Sequence, residues 1–570
     1  LIGHSEVRSH DSATEGTVPF IGRAVELEAL NDYWESVCQG NPHVVCVRGE
    51  AGIGKSRLMR EFLAKALPED AQLLRVSGFS DYHGGVYYSF KESFRRSFGI
   101  EAGDSQSLIM QRIQKVSHFP GQTVRKLAQV AKLLGITETE SSSGTRPLTY
   151  NSEVRIRESL IELVTRALEV AARNRPMVLI IDDLQWIGPA VREIVEHMIK
   201  ELHDCSGLHL LILCTERDDQ PCKPLPHVKS LSLERFSAET AFQFIRDVVG
   251  KSLPPEAVHK LVARAEGVPL FLEESARLAL DNQTSSKVFF AGVPDSIDSL
   301  LMSRLDNLDT TGKYLVQIAS VIGRDIQTNL LRDVVNMLTC PSNSINFQEQ
   351  FQKQLESFRQ FGVLSDLSTK GQQRLKFRHE MIRDVAYGSM WKRDRMSVHA
   401  AVAEVMLDDQ AQLYNIQPSM AAHHLTLSEQ HKEAAIQWEK AARLAADVSA
   451  NIEAIHNLQS ALSSLDHLSE DVDTAKWEMR LQLMLAARLI ACEGYGAEEV
   501  RNAYERAESL VNQFGSKSDR LKITFGLESV HIMRGELGRA KQLAMAAVDL
   551  ADTLADQQSR VCMALKAKWA

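Results

Sequence analysis

Eight residues constrain this chain more than any others: Gly49-Glu50-Ala51-Gly52-Ile53-Gly54-Lys55-Ser56. They follow the pattern G-x-x-x-x-G-K-[ST], whose glycines accept positive φ and let backbone amides close around a phosphate. The helix after such a loop adds its positive N-terminal end. In this reading Lys55 neutralises the β- and γ-phosphates of ATP or ADP, and Ser56 sets its hydroxyl on Mg²⁺. The pattern also recurs by chance in long chains, so its surroundings must decide.

The surroundings favour the phosphate reading. His43-Val44-Val45-Cys46-Val47-Arg48 is an apolar run that predicts a buried strand ending at the loop. Beyond the loop, Leu58, Met59, Phe62, Leu63, Ala66 and Leu67 fall on one helix face, and Pro68 stops the helix. Leu73–Ser77 predicts a second strand. Met177–Ile181 is apolar without alternation, as in a strand covered on both faces, and Asp182-Asp183 closes it. An Asp-Asp pair alone is as well a solvated strand end or a helix cap. Behind a buried strand and downstream of the glycine loop, it reads as one acid for the Mg²⁺ shell and one that polarises the attacking water. Leu208–Cys214 predicts a further strand, followed by Thr215-Glu216-Arg217; Arg217 either reaches a γ-phosphate or is a solvated charge after a strand. Val228–Leu233 predicts a fifth. Strands alternating with helices imply an α/β fold with a parallel, doubly wound sheet and its site at the strand carboxyl ends.

A chain of 570 residues exceeds one compact domain. Residues 1–17 are polar and read as a linker or tail, 18–234 as the sheet domain, 235–290 as a helical lid. Within that lid Gly267-Val268-Pro269-Leu270-Phe271 interrupts the helical pattern, either as a rigid junction only or as a lip over the nucleotide base. In 291–395, a helix over 293–310 and several more lead to a strand at Val363-Leu364-Ser365, a Thr369-Lys370-Gly371 turn and a second run over Arg374–His379, the pattern of a winged helix. From 396 to 570 nearly everything is helical with alanines at packing positions. Motifs such as Gly535-Glu536-Leu537-Gly538-Arg539-Ala540 point to tetratricopeptide-like repeats, or else to a non-repetitive bundle. Repeat arrays form concave surfaces that bind proteins.

The formal net charge of −9 argues against a surface built for nucleic acid, so the winged helix is expected as an intramolecular lid. The eight cysteines form no C-x-x-C pair, which speaks against a zinc site or a disulfide framework. No run long enough for a membrane helix and no signal peptide is present, so a cytoplasmic location is expected. The chain starts at Leu1 and ends at Ala570 inside a helical pattern, which reads as a segment of a longer polypeptide.

Taken together the motifs resemble the signalling P-loop ATPases of the STAND class, over about residues 18–560. The resemblance rests on Phe20-Ile21-Gly22-Arg23 with Glu26-Leu27, on Gly49–Ser56, on Asp182-Asp183-Leu184-Gln185-Trp186 and on Thr215-Glu216-Arg217. It continues through Gly267-Val268-Pro269-Leu270-Phe271-Leu272-Glu273-Glu274, Val293–Ile297 with Arg304-Leu305-Asp306, Ala319–Arg324, and Phe377-Arg378-His379 with Asp384–Tyr387. The chain is most similar to the ATPase and repeat region behind the catalytic domain of bacterial class III adenylyl cyclases; comparable modules occur in maltose-regulator-type and LuxR-type activators. The resemblance implies Phe20, Ile21, Gly22 and Arg23 near adenine, Pro269 at the base, and Gly49–Arg57 around the phosphates. It further implies Asp182 with Ser56 on Mg²⁺, Asp183 activating water, Arg217 sensing the γ-phosphate with Lys55 beside it, and His379 approaching the phosphates from the winged helix. Three positions depart from the usual pattern: Ala24, Gly188 and Val268.

The expectation is therefore a regulatory switch that binds ATP or ADP with Mg²⁺ and hydrolyses ATP slowly. A protein or small-molecule signal would act on the repeats; self-association stays open, and neither membrane nor nucleic-acid contact is expected. The rival expectations are the regulatory part of a cyclase, of a LuxR-type activator with a DNA-binding domain further on, or a scaffold without a nucleotide role. Intact Lys55, Ser56, Asp182 and Asp183 speak against the last.

Overall fold

The computed structural model describes residues 20–68, 71–78, 94–95, 100, 104–116, 124, 161–162, 164–166, 168–249, 255–281, 296–339, 344–366, 374–408, 417–447, 450–469 and 471–552. The expected linker 1–17, the Ser/Thr-rich stretch 138–151, the Val293-Pro294-Asp295 segment and the turn at 369–371 lie outside them. The described residues fall into two compact units, dividing between Val405 and Met406.

The first unit is built on a parallel five-stranded sheet of β1 (His43–Gly49), β2 (Gln72–Ser77), β3 (Met177–Asp182), β4 (Leu210–Arg217) and β5 (Lys229–Ser232), in the order β2-β3-β4-β1-β5. Strands β1, β3 and β4 are buried almost throughout, which is why their sequences run apolar without alternation. Helix Lys55–Ala66 lays Leu58, Met59, Phe62 and Leu63 on this sheet, where they join Val45, Val47, Val178, Ile180, Leu211 and Leu213 in one core. The parallel register sets Gly49 opposite Arg217, and Cys214 lies opposite Cys46 on one side and Ile181 on the other. The carboxyl ends of β1, β3 and β4 therefore bring the glycine loop, Asp182-Asp183 and Arg217 to one edge.

Helices Ala238–Val249, Pro255–Ala265 and Pro269–Asp281 follow the sheet and bury Ala241, Phe244, Ile245, Val262, Phe271 and Leu272 among themselves. The helix expected over 293–310 ends earlier, at Asp306, and the next one begins at Thr310. Helix Ile297–Asp306 is capped by the Ser296 hydroxyl, and a new helix, Thr310–Ile322, starts because the Asp309 carboxylate accepts from the Gly312 amide at 2.6 Å. Behind it an antiparallel sheet forms in the order β6-β8-β7 from Asp325–Gln327, Leu364–Asp366 and Arg374–Phe377. Strand β6 was not anticipated; three residues between two helices carry too little pattern to be seen. Helices Glu380–Gly388 and Lys392–Leu407 close this winged-helix arrangement.

The second unit is a helical solenoid. Helices Pro418–Leu427, His431–Asp447, Asn451–Leu465, Val472–Glu493, Glu498–Phe514, Lys517–Met533 and Leu537–Asp552 each pack on the next. Buried alanines at the contacts, such as Ala434, Ala435, Ala442, Ala454 and Ala461, permit the close approach.

Candidate functional site

The glycine loop has the backbone its sequence demands. Gly52 and Gly54 have φ of +76° and +102°, in the left-handed region that only glycine enters freely. Gly54 caps helix Lys55–Ala66, and a Cβ built on it would meet no atom within 4 Å, so the loop leaves an open hollow above the helix N-terminus. The Lys55 ammonium is buried and donates to the carbonyls of Gly49 (2.6 Å) and Glu50 (2.9 Å). Burial, and then the positive charge of Arg217, push its pKa down. A buried cation held by two neutral carbonyls and faced by a second cation suits an anion. This donor set fits a nucleotide phosphate.

Asp182 ends β3 and pairs with Arg75 of β2 at 3.5 Å. Among the described residues no group of three or more His, Cys, Asp or Glu could hold a metal ion. Asp182 offers a carboxylate at the end of β3 and Ser56 a hydroxyl in the first turn after the glycine loop, oxygen donors of the kind Mg²⁺ accepts beside phosphate and water. Asp183 stands in left-handed backbone (φ +56°), kept there by its amide, which donates to Thr215 Oγ1 at 2.8 Å. Its Oδ1 accepts from Gln185 (3.4 Å) and its Oδ2 from Arg324 (2.8 Å). Arg217 donates to Glu380 at 2.5 Å. Lys55 lies close enough to Arg217 and Asp183 to feel the charge of both.

The expected adenine segment runs beside the glycine loop and the helices that follow the sheet. Arg23 is buried and works as a clamp: its guanidinium donates to the carbonyls of Ile53 (3.2 Å) and Glu234 (2.6 Å) and to Glu26 (2.8 Å), and lies 4.9 Å from the Phe236 ring centre. It thereby ties the N-terminal segment to the glycine loop and to the end of β5. Phe20 packs against the sheet core and Ile21 against the core of the three lid helices. Gly22 faces Thr240 and Phe236. Ala51 and Ile53 lie within the loop, Ile53 fully buried, and Arg57 in the first helical turn is 3.7 Å from Glu61. Pro269 starts its helix, whose second residue, Leu270, donates its amide to the Gly52 carbonyl at 3.2 Å.

His379 precedes helix Glu380–Gly388, and its Nε2 is shut from solvent with no hydrogen-bond partner among the described residues. Burial first, then the charges of Arg378, Arg304, Arg277 and Arg60, lower its pKa to about 3, so the imidazole is neutral. Glu274 pairs with Arg304 at 2.9 Å, and burial raises its pKa. Thr215, Arg324 and Glu380 were not foreseen as site residues. Thr215 and Arg324 stood in the recognised motifs and Glu380 directly follows one, but nothing in their local sequence says that Thr215 and Arg324 reach Asp183 and that Glu380 reaches Arg217.

Comparisons with known proteins accord with this geometry. Residues 19–213 match the family model described as AAA ATPase domain. An uncharacterized protein of Rhizobium meliloti (strain 1021) is 25% identical over 513 residues, covering 87% of this chain and 47% of the relative. The chain thus spans about half the length of the curated relative it matches. Among solved structures, a STAND protein with a tetratricopeptide repeat sensor from Pyrococcus horikoshii aligns over 97% of this chain and 81% of its own, at 15% identity and a TM-score of 0.39. Cdc6p of Pyrobaculum aerophilum aligns over 69% and 98%, at 13% identity and a TM-score of 0.31. The motif resemblance and the family model agree on an AAA ATPase-type domain. No helix among the described residues is long and apolar enough to cross a membrane.

Proposed function

We propose that the chain is a nucleotide-controlled regulatory module: its first unit binds ATP or ADP with Mg²⁺ and hydrolyses ATP slowly, and its solenoid takes a protein or small-molecule signal. The observation that carries this is the buried Lys55 ammonium, held on Gly49 and Glu50 carbonyls at the head of a helix capped by left-handed Gly54. That arrangement presents a fixed cation and a helix N-terminus to one hollow, which suits a polyphosphate.

The roles follow from position. Backbone amides of Gly52–Ser56 and the Lys55 ammonium hold the phosphates. Ser56 and Asp182 hold Mg²⁺, which supplies charge neutralisation on the phosphate oxygens when bound. Asp183 accepts a proton from the attacking water, and Arg217 contacts the terminal phosphate. Pro269 and Gly22 border the base, with Arg23 keeping that border in place. His379, neutral, donates its one ring N–H to a phosphate oxygen. The output such a module controls is of the class of an adenylyl cyclase or LuxR-type DNA-binding domain.

The test is titration of a fluorescent ADP or ATP analogue into the wild-type chain and Lys55→Ala. Loss of one charge-assisted phosphate contact predicts affinity weaker by roughly 30-fold or more. Equal affinity in both proteins, or binding in neither, contradicts the proposal.

A further inference from the structure

Two ion pairs cross between the sheet domain and the winged-helix elements, and they engage opposite partners. Arg324 follows helix Thr310–Ile322 and places Nη1 2.8 Å from Asp183 Oδ2. Glu380 opens helix Glu380–Gly388 and places Oε2 2.5 Å from Arg217 Nη2. All four side chains are largely shielded from solvent, at 21% and 16% exposure in the first pair and 13% and 12% in the second. The quartet has no net charge. Arg324 also feels Glu380 and Asp182, so the two pairs form one cluster rather than two surface contacts.

We infer that this quartet is a hydrolysis lock: the winged helix holds the water-polarising carboxylate with Arg324 and the phosphate-sensing guanidinium with Glu380, so both groups are withdrawn from chemistry together. The inference rests on the nucleotide-switch reading above and deepens it by naming what regulates the site.

The chemistry is direct. A carboxylate oxygen held by a guanidinium is not free to orient an attacking water, because the charge-assisted hydrogen bond fixes its direction. With Gln185 on Oδ1 and Arg324 on Oδ2, both Asp183 oxygens are occupied. A guanidinium engaged by Glu380 must release it before turning to a phosphate. Because each partner comes from the winged-helix elements, one displacement of those elements frees both groups at once. Shielded pairs also resist partial opening, since a lone buried charge is costly. The lock is therefore two-state by construction: engaged at both positions or at neither.

The lock is tested on the full chain with Arg324→Ala and Glu380→Gln, neither of which removes a group that binds nucleotide or water. Steady-state ATP turnover and affinity for a fluorescent ADP analogue are measured together, with circular dichroism and thermal unfolding as fold checks. The lock predicts that both variants turn over ATP faster, by roughly tenfold, within the 5–150-fold span usual for coupling between sites. Analogue binding is expected to persist in both variants, because Lys55 and the glycine loop are left intact. Turnover unchanged in either variant, with analogue still bound, overturns the lock. A drop in turnover for Arg324→Ala overturns it too, and would make Arg324 an arginine that assists hydrolysis. If Arg324→Ala fails to fold, the near-isosteric Glu380→Gln decides alone. Failure of wild type and variants alike to bind the analogue would instead refute nucleotide binding itself, an outcome distinct from failure of the lock.

Discussion

The amide of Leu270 donates to the carbonyl of Gly52 at 3.2 Å, so the lid helix that starts at Pro269 is hydrogen-bonded to the middle of the glycine loop. The two are also in van der Waals register: a Cβ on Gly52 would stand 3.1 Å from Leu270 Cβ and 3.2 Å from its Cδ2. Arg235 adds a bridge, contacting Glu50 of the loop and Glu266 ahead of the lid helix at 2.9 Å each. This bridge is solvent-exposed and contributes little. The backbone contact is what makes the loop and lid respond to each other.

Gly52→Ala is therefore expected to damage both. Forcing a side chain into left-handed backbone costs about 1–2 kcal/mol before the squeeze against Leu270 is counted. The expected outcome is a lower melting temperature together with faster amide exchange in Pro269–Asp281. An unchanged exchange rate in that helix would show that the contact carries no coupling.

His379 gives the first unit a pH signature. Its folded pKa of about 3 lies below the ordinary 6.5, so between those values the unfolded chain binds a proton that the folded chain refuses. The contribution is complete above pH 6.5 and is lost as the pH falls toward 3. In the middle of that window the slope approaches about 1.4 kcal/mol per pH unit. Urea unfolding at pH 7 and pH 5 should show a smaller pH penalty in His379→Gln than in wild type. An equal penalty would mean that His379 titrates alike folded and unfolded.

Within the solenoid, the Glu439 carboxylate is buried and receives the Trp477 indole N–H at 2.7 Å, Arg480 at 3.0 Å and Arg443 at 2.6 Å. Both arginines are more than half exposed and add little. The indole bond to a charged acceptor is worth about 1.5–3 kcal/mol. Glu439→Ala should speed amide exchange in His431–Asp447 and Val472–Glu493 roughly 30-fold if opening there falls by about 2 kcal/mol. Exchange faster in only one of these helices would show that the bond does not join them.

The site was legible in the sequence wherever its chemistry is local. Gly49–Ser56 lie together, and the apolar run before them and the helix face after them are short-range patterns. Asp182-Asp183 follows directly from the five apolar residues of its strand. What escaped are relationships between distant residues. Arg324 meets Asp183 across 141 positions and Glu380 meets Arg217 across 163, and no periodicity encodes such a meeting. Arg23 shows the same limit. Its motif position implies a place near the base, but no local pattern tells that its guanidinium reaches two backbone carbonyls, one of them 211 positions away. The break between helices Ile297–Asp306 and Thr310–Ile322 lies a few residues ahead of the end expected at 310, because Asp309 caps the second helix through the Gly312 amide.

The central claim is that nucleotide state is passed to the winged-helix elements, and hydrogen–deuterium exchange tests it most directly. The full chain is followed with Mg·ADP and with a non-hydrolysable Mg·ATP analogue, reading residues 374–388, which include His379 and Glu380. The account predicts different protection of this segment under the two nucleotides, and the difference should vanish in Lys55→Ala. Identical protection under both nucleotides, with each shown to be bound, would contradict it.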